Sequence, residues 1–337
     1  MNSSATTIGI IVPTYNRADL IGQTLESVLA QTRPADEIIV VDDGSTDDTR
    51  AVVAAFAKRH PNLHYVWQEN AYLGAARNTG QVRAQSDLLL FLDSDDLLLP
   101  SALAEMEGAL RRAPQAALTY CRTDFIDQAG ALVAAPSWIE DFDGEVWDRL
   151  VDRCFIRSAG CVLIRRSALE HAGFWDVRLR GVEDWDMWLR LAERAPFARI
   201  PAPLFLYRLH GTNMSGDAAL MGLGEVRVYR EHLRRHAKNP VRRERLRAAL
   251  RARWPFYASG TAQALLARAL ARGGGSVTAP LPVARRLAFF CWALRLSPSL
   301  LWTHLPGVSR VYWAARARLR GCGDSSADTP AAGESGA

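Results

Sequence analysis

The chain has 337 residues, of which 49% are apolar and 23% are charged, and it carries a formal net charge of +5. This composition excludes a disordered or fibrous chain, and the length is sufficient for one large α/β domain and an appendage. The five cysteines are odd in number and form no Cys-x-x-Cys pair, so we expect neither a disulfide framework nor a zinc knuckle.

The apolar runs of the sequence show whether a signal peptide or a membrane-spanning helix is to be expected. Residues 1–16 lack a basic segment followed by a long apolar run, so a signal peptide is not expected. The longest candidate for a membrane span, residues 287–302, contains Arg295 and Pro298. We therefore expect a cytoplasmic protein with reduced thiols that does not span a membrane.

Four apolar runs of strand length alternate with segments of helical period in the first part of the chain. The runs are residues 8–12, 37–41, 63–67 and 88–92. Helices are predicted over residues 18–31 and 73–85, one is opened by the Asp and Thr residues of DDGSTDDT (residues 42–49), and another begins at Ser101. Strands that alternate with helices at this spacing predict a parallel sheet with right-handed crossovers. In such a sheet, ligands bind beyond the carboxyl ends of the strands.

Three polar clusters follow these predicted strands. Pro13–Arg17 follows the first strand, Asp42–Asp48 the second, and Asp93–Asp96 the fourth. A dinucleotide-binding domain or a sugar nucleotidyltransferase would have a glycine-rich phosphate loop after the first strand, and the first cluster contains no glycine. Its hydroxyl, ring and amide groups suit contacts with a nucleotide base, although any one of them alone also suits an ordinary helix-capping turn.

The motifs together resemble those of the family 2 glycosyltransferases. They are IIVPTYNRADLIGQTLESVLAQT, EIIVVDDGSTDDT, ENAYLGAARNTG, LLLFLDSDD and GVEDWDMWLRLA, in this order between residues 7 and 215. The resemblance implies the nucleotide-sugar-binding fold called GT-A, which is a Rossmann-like α/β fold with a mostly parallel sheet and helices on both faces.

The resemblance also implies a nucleotide site, in which Asp43 accepts a hydrogen bond from the base. The residues implied at the border of the nucleotide are Pro13, Thr14, Tyr15 and Arg17. Ser94 is a further nucleotide-binding candidate. Arg77 can contact the base or the phosphates through its several donors, or it can be a surface arginine paired with Glu69 or Asp87.

The acidic cluster is a candidate metal site. Because alternate residues of an extended segment project to one side, Asp93 and Asp95 can face a single site while Ser94 points away. The resemblance implies that these two aspartates form the D-x-D pair, and carboxylate oxygens suit Mg²⁺ or Mn²⁺ bound to substrate phosphates. Asp96 is expected to cap the following helix. The alternative is a solvated acidic turn without an ion.

A sugar-transfer reaction needs a base that takes the proton of the acceptor hydroxyl. The resemblance implies that this base is Asp184, and the nearby Glu183 and Asp186 can raise one pKa by crowding. Capping of the following helix is the alternative role of Asp184, and both roles can hold together. No second carboxylate is evident as a nucleophile, so inversion of configuration is favoured over a double displacement.

The segment LFLYRLHGTNMS contains Arg208 and His210, and similar family members have a Tyr-Arg-x-His element there. A neutral His210 can be a third metal ligand, and Arg208 can offset the charge of a released diphosphate. A purely structural histidine is the alternative.

These residues predict an inverting, metal-dependent glycosyltransferase. The expected reaction transfers a sugar, a hexosyl or N-acetylhexosaminyl group, from a nucleotide-diphosphate donor, UDP above all, to a hydroxyl of a glycan or lipid-linked acceptor. The expected setting is cell-surface polysaccharide or glycoconjugate synthesis. The alternative is a non-catalytic nucleotide-sugar-binding protein of the same fold, which would be expected to lack the D-x-D pair or the base; this chain has both.

Charge is unevenly distributed along the chain. The predicted regions are a GT-A domain (residues 1–215), a basic helical region (residues 216–320) and a disordered tail (residues 321–337). Residues 225–320 contain 20 lysine and arginine residues against three acidic ones. Helices with an arginine face can dock on an anionic membrane at its cytoplasmic side, or they can pack on the acidic first domain. No aromatic-interleaved motif favours a nucleic-acid partner.

Overall fold

The computed structural model of the chain describes residues 6–134 and 142–253. The predictions for the basic region beyond residue 253 and for the tail lie outside the described residues. The chain forms two compact units, Met1–Leu250 and Arg251–Ala337, and the first holds nearly all of the residues described.

One nine-stranded sheet forms the centre of the first unit, as far as the described residues extend. Its strands are β1 (Ile8–Thr14), β2 (Glu37–Asp42), β3 (Leu63–Trp67), β4 (Leu88–Phe91), β5 (Leu97–Leu98), β6 (Leu118–Ile126), β7 (Leu132–Val133), β8 (Val162–Arg165) and β9 (Phe197–Arg208). The spatial order is β3-β2-β1-β4-β8-β6-β9-β5, and β7 pairs with β6.

Helices connect most of these strands. They are α1 (Ile21–Leu29), α2 (Thr49–Ala57), α3 (Leu73–Arg83), α4 (Ala102–Arg112), α5 (Trp147–Asp152), α6 (Arg166–Ala172), α7 (Glu183–Ala192) and α8 (Ala218–Arg235), and residues 240–253 are also helical. The four helices predicted in the first part of the chain are confirmed as α1, α2, α3 and α4. None of the described helices has the length and the apolar character that a bilayer crossing requires.

The first half of the sheet, β3-β2-β1-β4, is parallel throughout. Its strands are aliphatic runs, and every residue of β1 and β4 is buried, as expected where helices cover a parallel sheet. The four predicted strands are confirmed, with boundaries that differ by at most two residues. Each of the first three strands is followed by a helix, so the connections are the crossovers that the alternating pattern predicted.

The second half of the sheet is mixed. Strand β8 runs antiparallel to β4 and β6, β9 runs parallel to β6, and β5 runs antiparallel to β9. The predicted α/β class is confirmed, but the sheet is purely parallel only over its first four strands. The regular alternation of apolar runs and helices ends with β4, and the later strands pair over long sequence separations that no local pattern indicates.

The three polar clusters meet at the carboxyl edge of the parallel half. Asn16 N–H donates to Ser45 Oγ at 2.9 Å, which joins the first cluster to the second. Arg17 Nε lies 3.3 Å from Asp95 Oδ2, which joins the first cluster to the third. The fold therefore gathers the predicted ligand-binding segments at one edge of the sheet.

Two described parts of the predicted basic region, α8 and the segment around Arg245, pack on α5 in the first unit. Tyr229 in α8 donates its hydroxyl hydrogen to Val151 O in α5 at 2.6 Å. Further along, Arg245 Nε lies 3.2 Å from Asp148 Oδ1. These contacts agree with the alternative in which the basic region packs on the acidic first domain. The domain boundary at residue 215 stays a prediction.

Helix α3 approaches β1 closely because residue 80 is a glycine. A Cβ placed on Gly80 would overlap Ile11 Cγ2, and Ile11 is fully buried in the middle of the sheet. Gly80 therefore sets the distance between this helix and the sheet.

We expect Gly80→Ala to destabilise the protein by about 1–3 kcal/mol, the usual cost of overpacking a filled core. Gly22→Ala is the matched control because Gly22 also lies within a helix, and a Cβ there would be 3.9 Å from Val52 Cγ1. Helix propensity predicts that the control is neutral or stabilising by up to about 1 kcal/mol. Urea denaturation followed by circular dichroism measures both, and equal stability of the two variants would contradict the close-contact explanation.

Candidate active site

Asp93 and Asp95 are the partly exposed acids of the segment that follows β4. Their side chains are 26% and 16% exposed, whereas Ser94 and Asp96 are buried. The segment is not extended as predicted, because Asp96 N–H donates to Asp93 O at 3.1 Å and closes a turn over these residues. The partly exposed pair can offer carboxylate oxygens to a ligand, whereas Ser94 is withdrawn from that face.

His210 adds a third donor next to Asp95. Its Nε2 lies 3.0 Å from Asp95 Oδ2. The Thr212 hydroxyl lies 2.8 Å from His210 Nδ1, and a hydroxyl can donate or accept there. Thr212 N–H also donates to Nδ1 at 3.3 Å, and Nε2 faces a carboxylate, so this geometry places the imidazole proton on Nε2. A metal bound through Nε2 would require the other tautomer, in which Nδ1–H donates to the Thr212 hydroxyl.

The donor types suit Mg²⁺ or Mn²⁺, but in the described residues the ligand atoms of these three side chains do not converge to within 4.8 Å of one another. Asp93, Asp95 and His210 supply carboxylate oxygens and one imidazole, and the partial exposure of the two aspartates leaves room for waters and substrate oxygens. Arg17 is the cation now nearest to Asp95 Oδ2, at 3.3 Å. The metal-binding role of the three residues stays a prediction.

Asp96 lies behind this pair and does not cap a helix. Helix α4 begins at Ala102, and Asp96 Oδ1 instead accepts Arg208 N–H at 2.9 Å. Burial, together with the charges of Asp95 and Asp93, raises the pKa of Asp96 well above its usual range. The capping prediction was wrong because β9 arrives from far along the chain and engages this carboxyl group.

Arg208 is completely buried and fastens the acidic segment from the interior. Its Nε donates to Asp95 O at 2.8 Å, and its Nη2 donates to Gln23 Oε1 at 2.9 Å. Arg208 thus holds the backbone of the acidic segment, and its role in offsetting the charge of a released diphosphate stays a prediction.

Arg77 joins the acidic segment to the start of α7. Its Nη2 donates to Asp93 Oδ1 at 2.8 Å, and its Nη1 donates to Glu183 Oε1 at 3.0 Å. The guanidinium also lies 4.9 Å from the centre of the Trp175 ring. The surface ion pair considered from the sequence is wrong, because Arg77 is buried and its partners are 16 and 106 positions away. A nucleotide contact stays a prediction.

Asp184 lies partly exposed in the first turn of α7. Its Oδ1 accepts the N–H of the next residue, Trp185, at 2.7 Å. The capping alternative is wrong, because Asp184 lies inside the helix and the N-cap position is Val182, without a side-chain cap bond. Burial, reinforced by the charge of Glu183, raises the pKa of Asp184 to about 7. A carboxylate with such a pKa can take a proton from a hydroxyl near neutral pH.

The two other acids of this segment are already paired. Glu183 is held by Arg77, and Asp186 lies 2.8 Å from Arg190 Nη2 and 3.1 Å from His232 Nε2. Burial alone would raise the pKa of Asp186, but His232 and Arg190 outweigh it and hold that pKa below its usual range. Both acids are buried, so Asp184 is the member of this trio that a substrate can reach.

The carboxylate of Asp43 organises the loop before α3. Its Oδ1 accepts Gln68 Nε2–H at 2.6 Å and Ala71 N–H at 2.9 Å, and its Oδ2 accepts Tyr72 N–H at 2.8 Å. Because each carboxylate oxygen can accept about two hydrogen bonds, Oδ2 keeps one acceptor position. The predicted contact with a nucleotide base is compatible with this arrangement.

The end of β1 supplies the remaining nucleotide candidates. Pro13 and Thr14 are buried, and Tyr15 is 46% exposed. Thr14 Oγ1 has no hydrogen-bond partner within the described part of the chain. Asn16 follows with φ of 50°, and its Oδ1 accepts Thr46 N–H at 2.7 Å. An exposed ring and a rigid polar turn therefore border the carboxyl edge.

Tyr72 and Arg180 form a part of this edge that the sequence analysis did not single out. Arg180 Cζ lies 3.4 Å from the centre of the Tyr72 ring, and Tyr72 is 49% exposed with φ of 72°. A positive φ is uncommon outside glycine and marks a backbone position that the surroundings enforce. The only signal in the sequence was an aromatic residue directly before a predicted helix.

Known proteins with similar sequences are glycosyltransferases. Residues 9–173 match the family model described as glycosyl transferase family 2. The chain is 30% identical over 234 residues to the putative teichuronic acid biosynthesis glycosyltransferase TuaG of Bacillus subtilis strain 168, covering 68% of this chain and 89% of that protein. It is 29% identical over 214 residues to chondroitin synthase of Escherichia coli, covering 62% of this chain and 30% of that protein. The chain spans about a third of the length of several curated relatives, this synthase among them.

Two solved structures share the fold. Staphylococcus aureus TarS 1-349, in complex with UDP-GlcNAc, has a TM-score of 0.54 and 18% identity over 73% of this chain and 80% of that chain. The mannosyltransferase PcManGT from Pyrobaculum calidifontis, in complex with GDP-Man and Mn²⁺, has a TM-score of 0.55 and 22% identity over 96% of this chain and 89% of that chain. At these identities the likeness concerns the fold alone, and the predicted GT-A fold is confirmed.

We expect Arg77→Met to lower the free energy of unfolding by about 3–5 kcal/mol at neutral pH, because Asp93 and Glu183 lose their shared cation. Arg83→Met is the matched control, since Arg83 is exposed in the same helix, and it should change stability by less than about 0.5 kcal/mol.

The stability deficit of Arg77→Met should depend on pH. Burial already raises the pKa of Asp93 above its unfolded value although Arg77 opposes this, and without the arginine that pKa rises further, so the deficit is largest above it. It shrinks as the pH falls and Asp93 binds a proton. Urea denaturation at neutral and at mildly acid pH measures this, and an equal deficit at both would show that the lost charge pairing is not the cause.

Proposed function

The chain belongs to glycosyltransferase family 2, and from that premise we propose that it is an inverting, metal-dependent enzyme that transfers a sugar from a nucleoside diphosphate to an acceptor hydroxyl. One observation carries the proposal: the buried guanidinium of Arg77 holds both Asp93 and Glu183, the neighbour of Asp184. A candidate metal site and a candidate base therefore stand at the same edge of the sheet.

Asp93, Asp95 and His210 are the proposed ligands of a divalent cation, Mg²⁺ or Mn²⁺. When bound, such a cation offsets the negative charge that develops on the departing diphosphate. The chain itself fixes the ligands, because Arg77 orients the carboxylate of Asp93 and Arg208 holds the backbone of Asp95. The Mn²⁺ in the complex of the mannosyltransferase PcManGT supports this choice of ion.

The proposed nucleotide is UDP. The remaining acceptor position of Asp43 suits the single imide N–H of uracil better than the two adjacent donors of guanine. Tyr15 and Arg17 border the base and the phosphates, beside Pro13 and Thr14. Ser94 is buried, so it would contribute a backbone group. The UDP-GlcNAc complex of TarS supports a UDP-linked hexose or N-acetylhexosamine as donor.

Asp184 is the proposed general base. It takes the proton of the acceptor hydroxyl as the hydroxyl oxygen bonds to the anomeric carbon, while the bond from that carbon to the diphosphate oxygen breaks. Attack on the face opposite the leaving group inverts the configuration of the sugar. Glu183 and Asp186 are each paired with a buried cation, which disfavours either as the nucleophile of a two-step mechanism.

The proposed acceptor is a hydroxyl of a growing glycan or of a lipid-linked sugar in cell-surface polysaccharide or glycoconjugate synthesis. The relatives named for teichuronic acid biosynthesis and for chondroitin synthesis support this setting. A lipid-linked acceptor would bring the reaction to the inner face of the cell membrane. Docking on an anionic membrane would then rest on the basic region beyond Arg245, which itself pairs with Asp148.

We expect UDP to bind the wild-type protein more tightly with Mn²⁺ than with EDTA, and we expect Asp95→Ala to abolish most of this difference. The loss should exceed about 10-fold, which is typical of losing even a group that only supports a metal ligand. Titration calorimetry measures it, and Asp19→Ala at an exposed position is the control. Binding that is equally tight with EDTA and with Mn²⁺, and unchanged in Asp95→Ala, would refute the metal assignment.

We expect Asp184→Asn to lower kcat by about 100- to 10,000-fold and to leave the Kd for UDP nearly unchanged, because the base acts in the transition state. The asparagine can still accept Trp185 N–H. Because the base must be ionised and its pKa is about 7, wild-type kcat/KM should fall about tenfold per pH unit below that pKa and level off above it. UDP release from UDP-sugars measures both. Near-normal turnover of folded Asp184→Asn would move the role to another acid.

A further inference from the structure

A second group of potential metal ligands lies at the opposite end of α7 from Asp184. Glu193 directly follows α7, and His232 and His236 lie one turn apart at the end of α8 and just beyond it. Glu193 Oε1 lies 2.9 Å from His236 Nε2 and 3.4 Å from His232 Nδ1. One ligand atom from each residue lies within 4.8 Å of the others.

His232 has a buried nitrogen, Nδ1, that makes no hydrogen bond within the described residues although Glu193 Oε1 lies 3.4 Å away. The side chain is 0% exposed. Its other nitrogen, Nε2, lies 3.1 Å from Asp186 Oδ1. A carboxylate that accepts Nε2–H leaves the Nδ1 lone pair free, and metal-binding histidines are commonly oriented by a second carboxylate in this way. That lone pair faces Glu193, at the centre of the group.

We propose that Glu193, His232 and His236 bind a zinc ion. Tetrahedral ligands about 2.0–2.1 Å from zinc are separated from one another by about 3.3 Å. The separations of 2.9 Å and 3.4 Å from Glu193 Oε1 to the two imidazoles are close to this value. Two imidazoles and one carboxylate suit zinc, with a water as fourth ligand, whereas Mg²⁺ prefers oxygen ligands alone.

Two arginines beside the group do not contact the Glu193 oxygen that faces the histidines. Arg242 Nη1 lies 3.8 Å from Glu193 Oε2, so it engages the oxygen that the histidines do not contact. Arg190 is paired with Asp186 at 2.8 Å. The competing occupant is a proton shared between Glu193 and the histidines, which would make the group a buried ion pair without metal.

Zinc at this position would join α8 to α7. Helix α7 carries Glu183 and Asp184 in its first turn and the metal ligand Glu193 just after its last turn. The ion would therefore fix the helix that bears the candidate base from its far end, through residues that take no part in the proposed reaction. The site does not depend on the proposed function.

The test compares zinc bound by the full chain and by two histidine variants. Each protein is dialysed to equilibrium against buffered zinc and measured by inductively coupled plasma mass spectrometry. His236→Gln should lose about one zinc per chain relative to the wild type. His64→Gln, the same change at an exposed position of β3, should lose none. Zinc bound elsewhere cancels in this comparison. Zinc should also raise the Tm of the wild type and the control more than that of His236→Gln.

Glu193→Gln keeps the size of the side chain and one oxygen, so it serves if His236→Gln does not fold, as judged by circular dichroism. It should lose the same zinc equivalent. Equal zinc content in the wild type, the control and the cluster variants would overturn the proposal and assign the group to a proton-linked ion pair. A wild-type protein that binds no zinc would overturn it as well.

Discussion

The buried guanidinium of Arg77 is the contact on which the candidate active site depends. A charge withdrawn from water must be paired with good geometry, and Arg77 achieves this with one carboxylate from a strand end and another from a helix start 106 positions away. Gly80 lies one turn further along the same helix, where it lets α3 press against β1. The close approach of helix and sheet therefore brings the guanidinium under the acidic segment.

Charge compensation in that segment comes mainly from the interior. Arg77 and Arg208 approach from the protein side, and both are buried. Burial, and the nearby charge of Asp95, still raise the pKa of Asp93 above its usual value, although Arg77 opposes them. On the outer side, Arg17 and His210 lie 3.3 Å and 3.0 Å from Asp95 Oδ2. A cation arriving there would share Asp95 with these two side chains and would meet an Asp93 carboxylate already oriented by Arg77.

The sequence predicted the features that are local. Aliphatic runs followed by helix-period segments located β1 to β4 within two residues. The extended conformation predicted for residues 93–95 was wrong, because the chain turns there and Asp96 N–H donates to Asp93 O. The sequence did not predict which distant segments pair with each other. The engagement of Asp96 by β9 and the burial of Arg77 arise from residues about 100 positions apart. No periodicity reports such contacts, because they depend on how the mixed half of the sheet closes.

The late position of β9 in the chain has a consequence for biosynthesis. Strand β9 pairs with β5 and β6, and Arg208 and His210 stand at its end, 113 and 115 positions after Asp95. At a synthesis rate of about 5–20 residues per second, a nascent chain exposes the acidic segment for roughly ten seconds before either partner leaves the ribosome. During that interval the proposed donor site lacks His210 and is incomplete. A ribosome-bound chain would therefore not bind a nucleotide sugar at this site until β9 and the residues that follow it have been made.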